Sequence, residues 1–390
     1  MSIDTTRWGA IARELRHEGP GYPVMVLDLD ALDRNCDVIA GKLPRGKSLR
    51  LVAKSLPSLP LLDYLRRRTG ARGQMVFHAP FLAPTLAADR EAELLVGKPL
   101  PVRAAAGVLA AQPDAADRVI WLVDTLARLA QYADLARARA VRLRVAFEIE
   151  IGMHRGGFVG AELDTAIDAL DATGGALELA GLMGYDAHVG AVPRLLQDPD
   201  AAHRRACATY RAASERVRAR RPDATLVYNG AGSRTFHRHR DDSPLTELAI
   251  GSAFVMPARF DQPSLADLEP AVMIATPVLR AWDGTSLPGL AATRTWWPRV
   301  AARFERSYFV YGGRWDGVIA WPPGFVENRL YGASYNQTLV NGPRAHAIEV
   351  DDYVLLRPND SEHVMLQFGD LWVTRGGRLH ARWPVLGSAG

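Results

Sequence analysis

Lysine is almost missing from this chain. Of the 47 lysine and arginine residues in the 390-residue sequence, four are lysines. Lys42 and Lys47 lie in the polar segment GKLPRGK, where solvated side chains are expected, whereas Lys54 follows the apolar, strand-like residues 49–53. Arginine stays protonated, but a desolvated lysine can lose its proton and form a Schiff base. Lys54 is therefore the first candidate for chemistry, and Lys98 is the second.

Cysteine is also scarce, and long apolar runs are absent. Cys36 and Cys207 are too few for a disulfide framework and do not show the spacing of a zinc site. We therefore expect two reduced thiols in a cytoplasmic protein. No apolar run reaches about 18 residues, so no membrane span is expected. The N-terminal segment has no apolar signal core, which argues against secretion.

The basic charge balance does not come with a nucleic-acid motif. The formal net charge is +4 and the pI is about 9.1. The arginines are scattered over helical stretches such as residues 202–221, and no stripe of basic and aromatic residues appears. We expect no nucleic-acid partner, and only a mild attraction for anionic small molecules.

Between about residues 30 and 258, short apolar runs alternate with stretches of helical periodicity. The runs cover residues 49–53, 74–78, 93–97, 119–124, 143–150, 179–184, 225–229 and 247–251. Helical stretches include residues 57–68, 125–138, 161–172 and 199–220. This alternation indicates parallel strands with crossover helices. The predicted fold class is α/β, a closed (β/α)₈ TIM-type barrel. An open doubly wound sheet is the alternative.

After about residue 260 the helical periodicity disappears. Short strand-like runs follow at residues 347–356, 363–368, 371–374 and 377–383, separated by turn-forming pairs. The sequence thus predicts a second, C-terminal β-rich domain of residues 1–29 and 259–390, beside a barrel of residues 30–258. The early strand at residues 24–28 is assigned to the β-rich domain.

Polar and glycine residues gather where the predicted barrel strands end, which is where barrel active sites form. The first strand ends on Lys54, the fifth runs into EIEIGMHRGG, and the sixth runs into GYDAH. The pairs Gly232-Ser233 and Gly251-Ser252 follow the seventh and eighth strands. Barrels often bind phosphate there, since glycines let backbone amides approach an anion. Together with a buried lysine, these pairs suggest the cofactor pyridoxal 5'-phosphate (PLP).

These motifs, with LDLDAL at residues 27–32 and AKS around Lys54, carry a resemblance to a known family. The chain resembles the fold-type III PLP enzymes. The nearest group is that of D-threonine aldolase and eukaryotic-type D-serine dehydratase, which is related to alanine racemase. The resemblance covers roughly residues 24–256 and 347–386. It implies a homodimer and the following roles: Lys54 carries PLP, Arg155 faces the pyridine nitrogen and keeps it unprotonated, Tyr185 lines the cofactor pocket, and Gly232, Ser233, Gly251 and Ser252 hold the phosphate.

The sequence departs from this group at two places. The segment VAKSLP around Lys54 lacks both histidines of the group's HxKTHK motif. Near the C-terminus, Asp360 and Glu362 replace a His-x-Cys or His-x-Asp pair. In a strand these two carboxylates would share one face, and they would suit Mg²⁺ or Mn²⁺ better than zinc. The alternatives are a solvated acidic turn, or a metal-free site in which Glu362 or His363 acts as an acid/base.

The resulting prediction is a PLP-dependent lyase that cleaves or dehydrates a D-configured β-hydroxy amino acid. Asp360, Glu362 or His188 would take the proton of the β-hydroxyl group, although His154 and His188 can also be structural. An amino-acid racemase is the first alternative. It would need a second base from a partner subunit, for which four tyrosines are candidates: Tyr308, Tyr311, Tyr331 and Tyr335. A non-catalytic PLP-binding protein is the second alternative, and the β-rich domain argues against it.

Overall fold

The computed structural model describes residues 5–191, 197–286, 289, 297, 301–329, 331–332 and 334–387. The chain forms two compact units. One comprises Val38–Gly251, and the other comprises Met1–Asp37 together with Ser252–Gly390. The boundaries predicted from sequence lie at residues 30 and 258.

The first three elements begin the second of these units. Helix α1 (Thr5–Glu18) is followed by strand β1 (Val24–Asp28) and helix α2 (Leu29–Lys42). One face of α1 is apolar, and its Trp8 and Ile11 pack with Val24 and Val26 of β1 in a buried cluster. Burial of this face holds the amphipathic helix against the sheet, because packing rather than helix propensity stabilises most helices in proteins.

The barrel consists of eight parallel strands, closed by pairing of the first with the last. The strands are β2 (Ser48–Val52), β3 (Gly73–Val76), β4 (Glu93–Val96), β5 (Val119–Val123), β6 (Leu143–Glu148), β7 (Leu177–Gly184), β8 (Val227–Gly230) and β9 (Glu247–Ile250). The predicted fold class is confirmed, and the open doubly wound sheet is wrong, because β2 pairs with both β3 and β9.

Helices connect the barrel strands. They are α3 (Leu59–Thr69), α4 (Ala79–Ala88), α5 (Val102–Ala111), α6 (Ala115–Arg118), α7 (Leu126–Arg139), α8 (Ala161–Asp171), α9 (His188–Ala191) and α10 (Pro199–Arg220). The two longest barrel helices begin at side-chain caps. The Thr125 hydroxyl accepts the N–H of Arg128, and the Asp198 carboxylate accepts two N–H groups at the start of α10. Such caps satisfy backbone donors that have no partner within the helix.

The inside of the barrel is a packed apolar core. Buried side chains from seven of the eight strands fill it: Val52, Met75, Leu95, Ile120, Leu122, Ala146, Ala180, Met183 and Ala249. Because this interior is filled, chemistry is confined to the ends of the strands, as in other barrels of this type.

The β-rich unit contains a nine-stranded sheet. Besides β1, its strands are β10 (Val272–Asp283), β11 (Arg306–Tyr311), β12 (Gly317–Trp321), β13 (Val326–Glu327), β14 (Gln337–Gly342), β15 (Tyr353–Pro358), β16 (Leu371–Arg375) and β17 (Arg378–Trp383). The main order is β13-β14-β11-β10-β1-β16-β17, and β15 joins β12 to β10. Strand β1 lies centrally, antiparallel to β10 and parallel to β16.

Two strand predictions in this unit need correction. The run at residues 363–368 is not a strand but contains a single 3₁₀ turn, Val364–Leu366. The strand predicted at residues 347–356 begins later and ends later, at Tyr353–Pro358. Both runs contain apolar residues in turns, where some are buried, as Ile348 and Met365 are, and others are exposed, as Val350 and Leu366 are. No helix in the described part of the chain is both long and apolar enough to cross a membrane.

A buried arginine links the strands on both sides of the barrel's closing seam. Arg50 of β2 is almost fully buried and donates from Nε to Glu247 of β9. Its other nitrogens donate to the Glu93 carboxylate of β4 at 2.8 Å and to the Gln74 carbonyl of β3 at 3.1 Å. Asn229 of β8 also donates to Glu247, at 2.8 Å. The buried carboxylate of Glu247 thus accepts hydrogen bonds from a charged donor on β2 and from a neutral donor on β8.

Removing the Arg50 charge should destabilise the protein strongly. We expect Arg50→Met to lower the free energy of unfolding by about 3–5 kcal/mol, because Glu247 would remain buried and charged without its partner. Urea unfolding followed by circular dichroism measures this change. Arg142→Gln is the matched control, since Arg142 pairs with Glu178 in solvent, and such pairs are worth about 1 kcal/mol or less. Equal losses in both variants would contradict the expectation.

Candidate active site at the carboxyl ends of the barrel strands

Lys54 lies in a short turn at the end of the first barrel strand. Strand β2 ends at Val52, and Lys54 is the middle residue of the 3₁₀ turn Ala53–Ser55, so the prediction that the strand itself ends on Lys54 is wrong by two residues. The lysine is half-buried, and its Nζ lies 4.7 Å from the centre of the Phe77 ring, just after β3. The turn therefore directs the amine over an aromatic face at the carboxyl end of the barrel.

The loop after β9 touches the turn that holds Lys54. A Cβ at Gly251 would lie 2.8 Å from the Cβ of Val52 and 2.9 Å from that of Ser55. Only glycine can approach so closely, because real Cβ atoms do not make contacts below about 3 Å with packed neighbours. The Gly251 N–H donates to the Ser233 hydroxyl at 3.2 Å. The two glycine–serine loops predicted to bind phosphate are thus connected to each other, and one of them packs against the lysine turn.

A tyrosine and an arginine continue this row of contacts. A Cβ at Gly232 would lie 2.9 Å from Cε2 of Tyr185, so the tyrosine ring lies directly on the glycine backbone. The guanidinium carbon of Arg155 lies 5.0 Å from the centre of the same ring. The structure therefore brings the turn that holds Lys54 into one chain of contacts, all within the barrel unit, with Gly251, Ser233, Gly232, Tyr185 and Arg155.

A buried carboxylate orients Arg155. Its Nε donates to Oε1 of Glu148, the last residue of β6, at 2.8 Å. Burial raises the pKa of Glu148, and the positive charge of Arg155 opposes that shift. The backbone N–H of Arg155 also donates to Glu150, at 3.3 Å. Burial would raise the pKa of Glu150, but backbone N–H donors, first that of His154, outweigh it and hold the pKa below its usual range. The loop is thus held by two carboxylates.

The two candidate histidines differ in their surroundings. His154 is 89% exposed and has a positive φ of 52°. His188, the last residue of the GYDAH motif, begins α9, and its backbone N–H donates to the Met153 sulfur at 3.2 Å. Its Nδ1 is buried and has no hydrogen-bond partner among the described residues. Burial lowers the pKa of His188, and the nearby Asp186 carboxylate only partly offsets this. His188 is therefore neutral at neutral pH.

The remaining predicted site residues belong to the β-rich unit. Ser252 begins a 3₁₀ turn, and its hydroxyl accepts a hydrogen bond from Ser361 at 3.2 Å. Strand β15 ends at Pro358, so the expectation that Asp360 and Glu362 share a strand face is wrong. Asp360 instead pairs with Arg259 at 2.5 Å. Binding of Mg²⁺ or Mn²⁺ by this pair of carboxylates stays a prediction.

Sequence reasoning missed two residues of the site. Glu148 was quoted in the motif EIEIGMHRGG, but nothing in the spacing showed which of its two glutamates meets Arg155. Phe77 lies in the segment predicted as the second strand, and no pattern distinguishes it from a core residue. Its position directly after β3, at the rim where the other site residues lie, was the one signal available.

The barrel matches a known protein family, and the chain is similar to several solved structures. Residues 27–258 match the family model described as alanine racemase, N-terminal domain. A search of curated proteins finds no significant match. Among solved structures, the chain is similar to D-threonine aldolase from Filomicrobium marinum, with 20% identity over 94% of this chain and 98% of that chain and a TM-score of 0.71.

Two further structures are similar over nearly their whole length. For D-threo-3-hydroxyaspartate dehydratase from Delftia sp. HT23, the identity is 21%, the coverage is 93% of this chain and 97% of that chain, and the TM-score is 0.70. For alanine racemase of Clostridium difficile 630, the corresponding values are 15%, 92%, 97% and 0.71. At these identities the likeness establishes the fold.

The family match, by contrast, spans more than half of the chain and covers the whole barrel with its lysine turn and its glycine–serine loops. The chain therefore belongs to the alanine racemase N-terminal domain family and is a fold-type III PLP enzyme of that family.

Proposed function

We propose that this protein is a PLP-dependent lyase that cleaves or dehydrates a D-configured β-hydroxy amino acid. The observation that carries the proposal is the continuous row of contacts from the Lys54 turn through Gly251 and Ser233 to Tyr185 and Arg155. This row brings together the amine of Lys54, backbone lined by glycines and the guanidinium group of Arg155 at the carboxyl end of the barrel. Two similar structures, by their names an aldolase and a dehydratase, act on amino acids of this class.

The residues present fit PLP. Lys54 supplies the amine that would hold the aldehyde carbon of the cofactor. The close-packed Gly232 and Gly251 leave backbone free of side chains beside the Ser233 hydroxyl, which is the composition of a phosphate cradle. Ser252 follows in the chain and would add a second hydroxyl. When bound, PLP supplies an electron sink for negative charge at the substrate Cα.

Arg155 limits how strongly bound PLP could stabilise negative charge at the substrate Cα. A guanidinium group keeps its protons throughout the accessible pH range, so it can donate a hydrogen bond to a ring nitrogen but cannot protonate it. Glu148 fixes the guanidinium by a buried hydrogen bond, which is stronger because both partners are charged. Aldol cleavage and dehydration both place an electron pair on Cα, so a weaker sink favours steps that pass this pair on at once, to a proton in the cleavage reaction or to expulsion of the β-hydroxyl group in the dehydration.

His188 is the base that we assign to the β-hydroxyl proton. Its imidazole is neutral at neutral pH because burial lowers its pKa. Removing the hydroxyl proton allows the Cα–Cβ bond to break, which releases an aldehyde, and the electron pair left on Cα then takes up a proton to give glycine. In the dehydration reaction a Cα proton leaves instead, together with the hydroxyl group. Asp360 and Glu362 stay in the proposal as a second acid/base pair or as ligands of Mg²⁺ or Mn²⁺.

The racemase alternative depends on a tyrosine base from a partner subunit. Tyr308 is fully buried, and its ring stacks on Phe325 at 4.9 Å, so it is a core residue of the β-rich unit. Tyr311, Tyr331 and Tyr335 are exposed, with Tyr335 at 75%. These three are the tyrosines that could act in a partner's site. The homodimer that such a mechanism requires stays a prediction.

Lys54 should be the residue that binds the cofactor covalently. The purified protein incubated with PLP should absorb visible light, and borohydride reduction followed by peptide mapping should label Lys54. Lys54→Ala should abolish both signals. Lys98→Ala, which removes the exposed lysine after β4, is the control and should keep both. A wild-type protein that stays colourless in excess PLP would overturn the cofactor assignment.

A substrate panel should separate the candidate reactions. D-threonine, D-serine and D-3-hydroxyaspartate are each incubated with the PLP-loaded protein, with EDTA and with Mg²⁺ or Mn²⁺. We expect glycine plus aldehyde, or a keto acid plus ammonia, from at least one of them. Interconversion of D- and L-alanine without either product would support the racemase instead. Binding of PLP with no turnover of any amino acid would support a non-catalytic protein.

The pH dependence of kcat/KM should show whether His188 is the base. Because its pKa is lowered, kcat/KM should hold steady as pH falls past the ordinary histidine value of about 6.5 and decline only below it. His188→Gln should lower kcat by about 10²–10⁴-fold and remove that decline. His154→Gln, which changes an exposed histidine of the same rim, should leave the profile unchanged. A decline that persists in His188→Gln would assign the base elsewhere.

A further inference from the structure

A second cluster of metal-ligating side chains lies in the barrel unit and takes no part in the proposed reaction. His203 and Cys207 are spaced i and i+4 on α10, so their side chains share one face of that helix. His239 follows a 3₁₀ turn in the segment between β8 and β9. The ligand atoms of the three residues all lie within 4.8 Å of one another. In the described part of the chain, no other group of three or more histidine, cysteine or acidic side chains is clustered in this way.

A buried carboxylate lies beside the two histidines of the cluster. Oδ2 of Asp186 lies 3.2 Å from Nε2 of His239 and 4.0 Å from Nδ1 of His203. The other oxygen accepts a hydrogen bond from the Thr235 hydroxyl at 2.6 Å, which fixes the orientation of the carboxylate. Burial would raise the pKa of Asp186, but His239 and Thr235 outweigh it, so the pKa is lowered and the carboxylate is negative.

The spacings are close to those of a tetrahedral zinc site. Zinc–nitrogen bonds of about 2.0–2.1 Å and zinc–sulfur bonds of about 2.3 Å place neighbouring ligand atoms about 3.4–3.6 Å apart. In the structure, the Cys207 sulfur lies 3.6 Å from Nε2 of His203, and the closest pair of His239 and Asp186 atoms lies at 3.2 Å. The two imidazole rings stand nearly perpendicular, at 83°, with their centres 4.8 Å apart.

The surroundings of His239 match those of a metal ligand. Its Nδ1 lies 3.0 Å from the Ser243 hydroxyl, and its Nε2 faces Asp186 and the rest of the cluster. Ligating histidines usually hydrogen-bond through the nitrogen that does not bind the metal, which fixes the ring. The His203 side chain is 16% exposed, which leaves a path to solvent.

We propose that His203, Cys207 and His239 bind a zinc ion, with Asp186 as the fourth group. Two imidazoles, one thiolate and one carboxylate are a ligand set that zinc accepts, whereas Mg²⁺ and Mn²⁺ prefer oxygen ligands alone. The ion would join α10 and the segment before β9 to the loop after β7. That loop carries Tyr185, which contacts Gly232 and Arg155. The site would therefore brace the tyrosine side of the pocket without touching the reacting atoms.

A catalytic cysteine is the rival interpretation of Cys207, and its surroundings do not support one. Burial, and after it the Asp186 charge, raises the pKa of the thiol to about 11, so the metal-free thiol is a poor nucleophile. A metal-free Asp–His pair is the other rival. It would explain the short contact between Asp186 and His239, but it gives no role to Cys207 beside His203.

Cobalt substitution tests the proposal. The protein is stripped with a chelator and titrated with Co²⁺, whose thiolate complexes absorb strongly in the near-ultraviolet. We expect one equivalent of Co²⁺ to produce this absorption and one equivalent of Zn²⁺ to displace it. Cys207→Ser should abolish it, and Cys36→Ser, which changes the other thiol of the chain, should keep it. His203→Gln should also lose it, whereas His237→Gln, two residues from His239, should not.

Affinity and folding provide the second measurement. Ser243→Ala should weaken zinc binding by about 10–100-fold while the stoichiometry stays at one, because Ser243 only orients a ligand. For every variant, we compare the rise in Tm that zinc causes. A variant that folds but has lost the site should show no rise, because zinc stabilises only a protein that binds it. A folded wild-type protein without the cobalt absorption, or a Cys207→Ser variant that keeps it, would overturn the proposal. Zinc bound without a thiolate signal would also overturn it, since the ion would then lie elsewhere.

Discussion

The barrel depends on one buried charge. Arg50 reaches from β2 to the Glu247 carboxylate on β9 and to Glu93 on β4, and it also caps a carbonyl group of β3. Burying ions is costly, and only complete pairing and hydrogen bonding repay that cost. The arrangement meets this condition in one register of β2 against β9, because a shift of a single residue would move Arg50 away from its partners. The closing seam of the barrel is thus fixed by chemistry as well as by backbone pairing.

That seam is also where the candidate site begins. Lys54 follows β2 and Gly251 follows β9, so the register that Arg50 fixes also sets the distance between the amine and the glycine–serine loops. Two close approaches, at Gly251 and at Gly232, then transmit this placement to Ser233 and Tyr185. Apart from Lys54, the row contains one long flexible side chain, that of Arg155, and Glu148 restrains it. The pairing of β2 with β9 that Arg50 stabilises therefore sets the positions of the lysine turn and the glycine–serine loop that follow these two strands.

The sequence was sufficient for the barrel because its signals are local and repeated. Eight apolar runs with helical stretches between them allow few arrangements, and the structure has all eight strands near the predicted residues. The roles of Lys54, Arg155 and Tyr185 came from motifs and a resemblance and stay predictions, while the structure shows Arg155 against the Tyr185 ring and Tyr185 against Gly232. Individual side-chain pairings could not be derived: Glu148 with Arg155, Phe77 with Lys54, and the grouping of Cys207 with His239. The sequence spacing of the cysteines excluded a zinc motif, since the third ligand comes from a loop distant in the chain.

The placement of β1 has a consequence for how the chain is made. This strand precedes the barrel in the sequence, yet it lies between β10 and β16, which are both synthesised after the barrel. The barrel is built from one contiguous stretch and can close during synthesis, whereas the sheet of the other unit needs strands from both sides of that stretch. Until β10 and β16 have been made, β1 is an apolar strand without its neighbours in the sheet, and such a segment is prone to aggregation. Late assembly of this sheet is the point at which expression of the protein is most vulnerable.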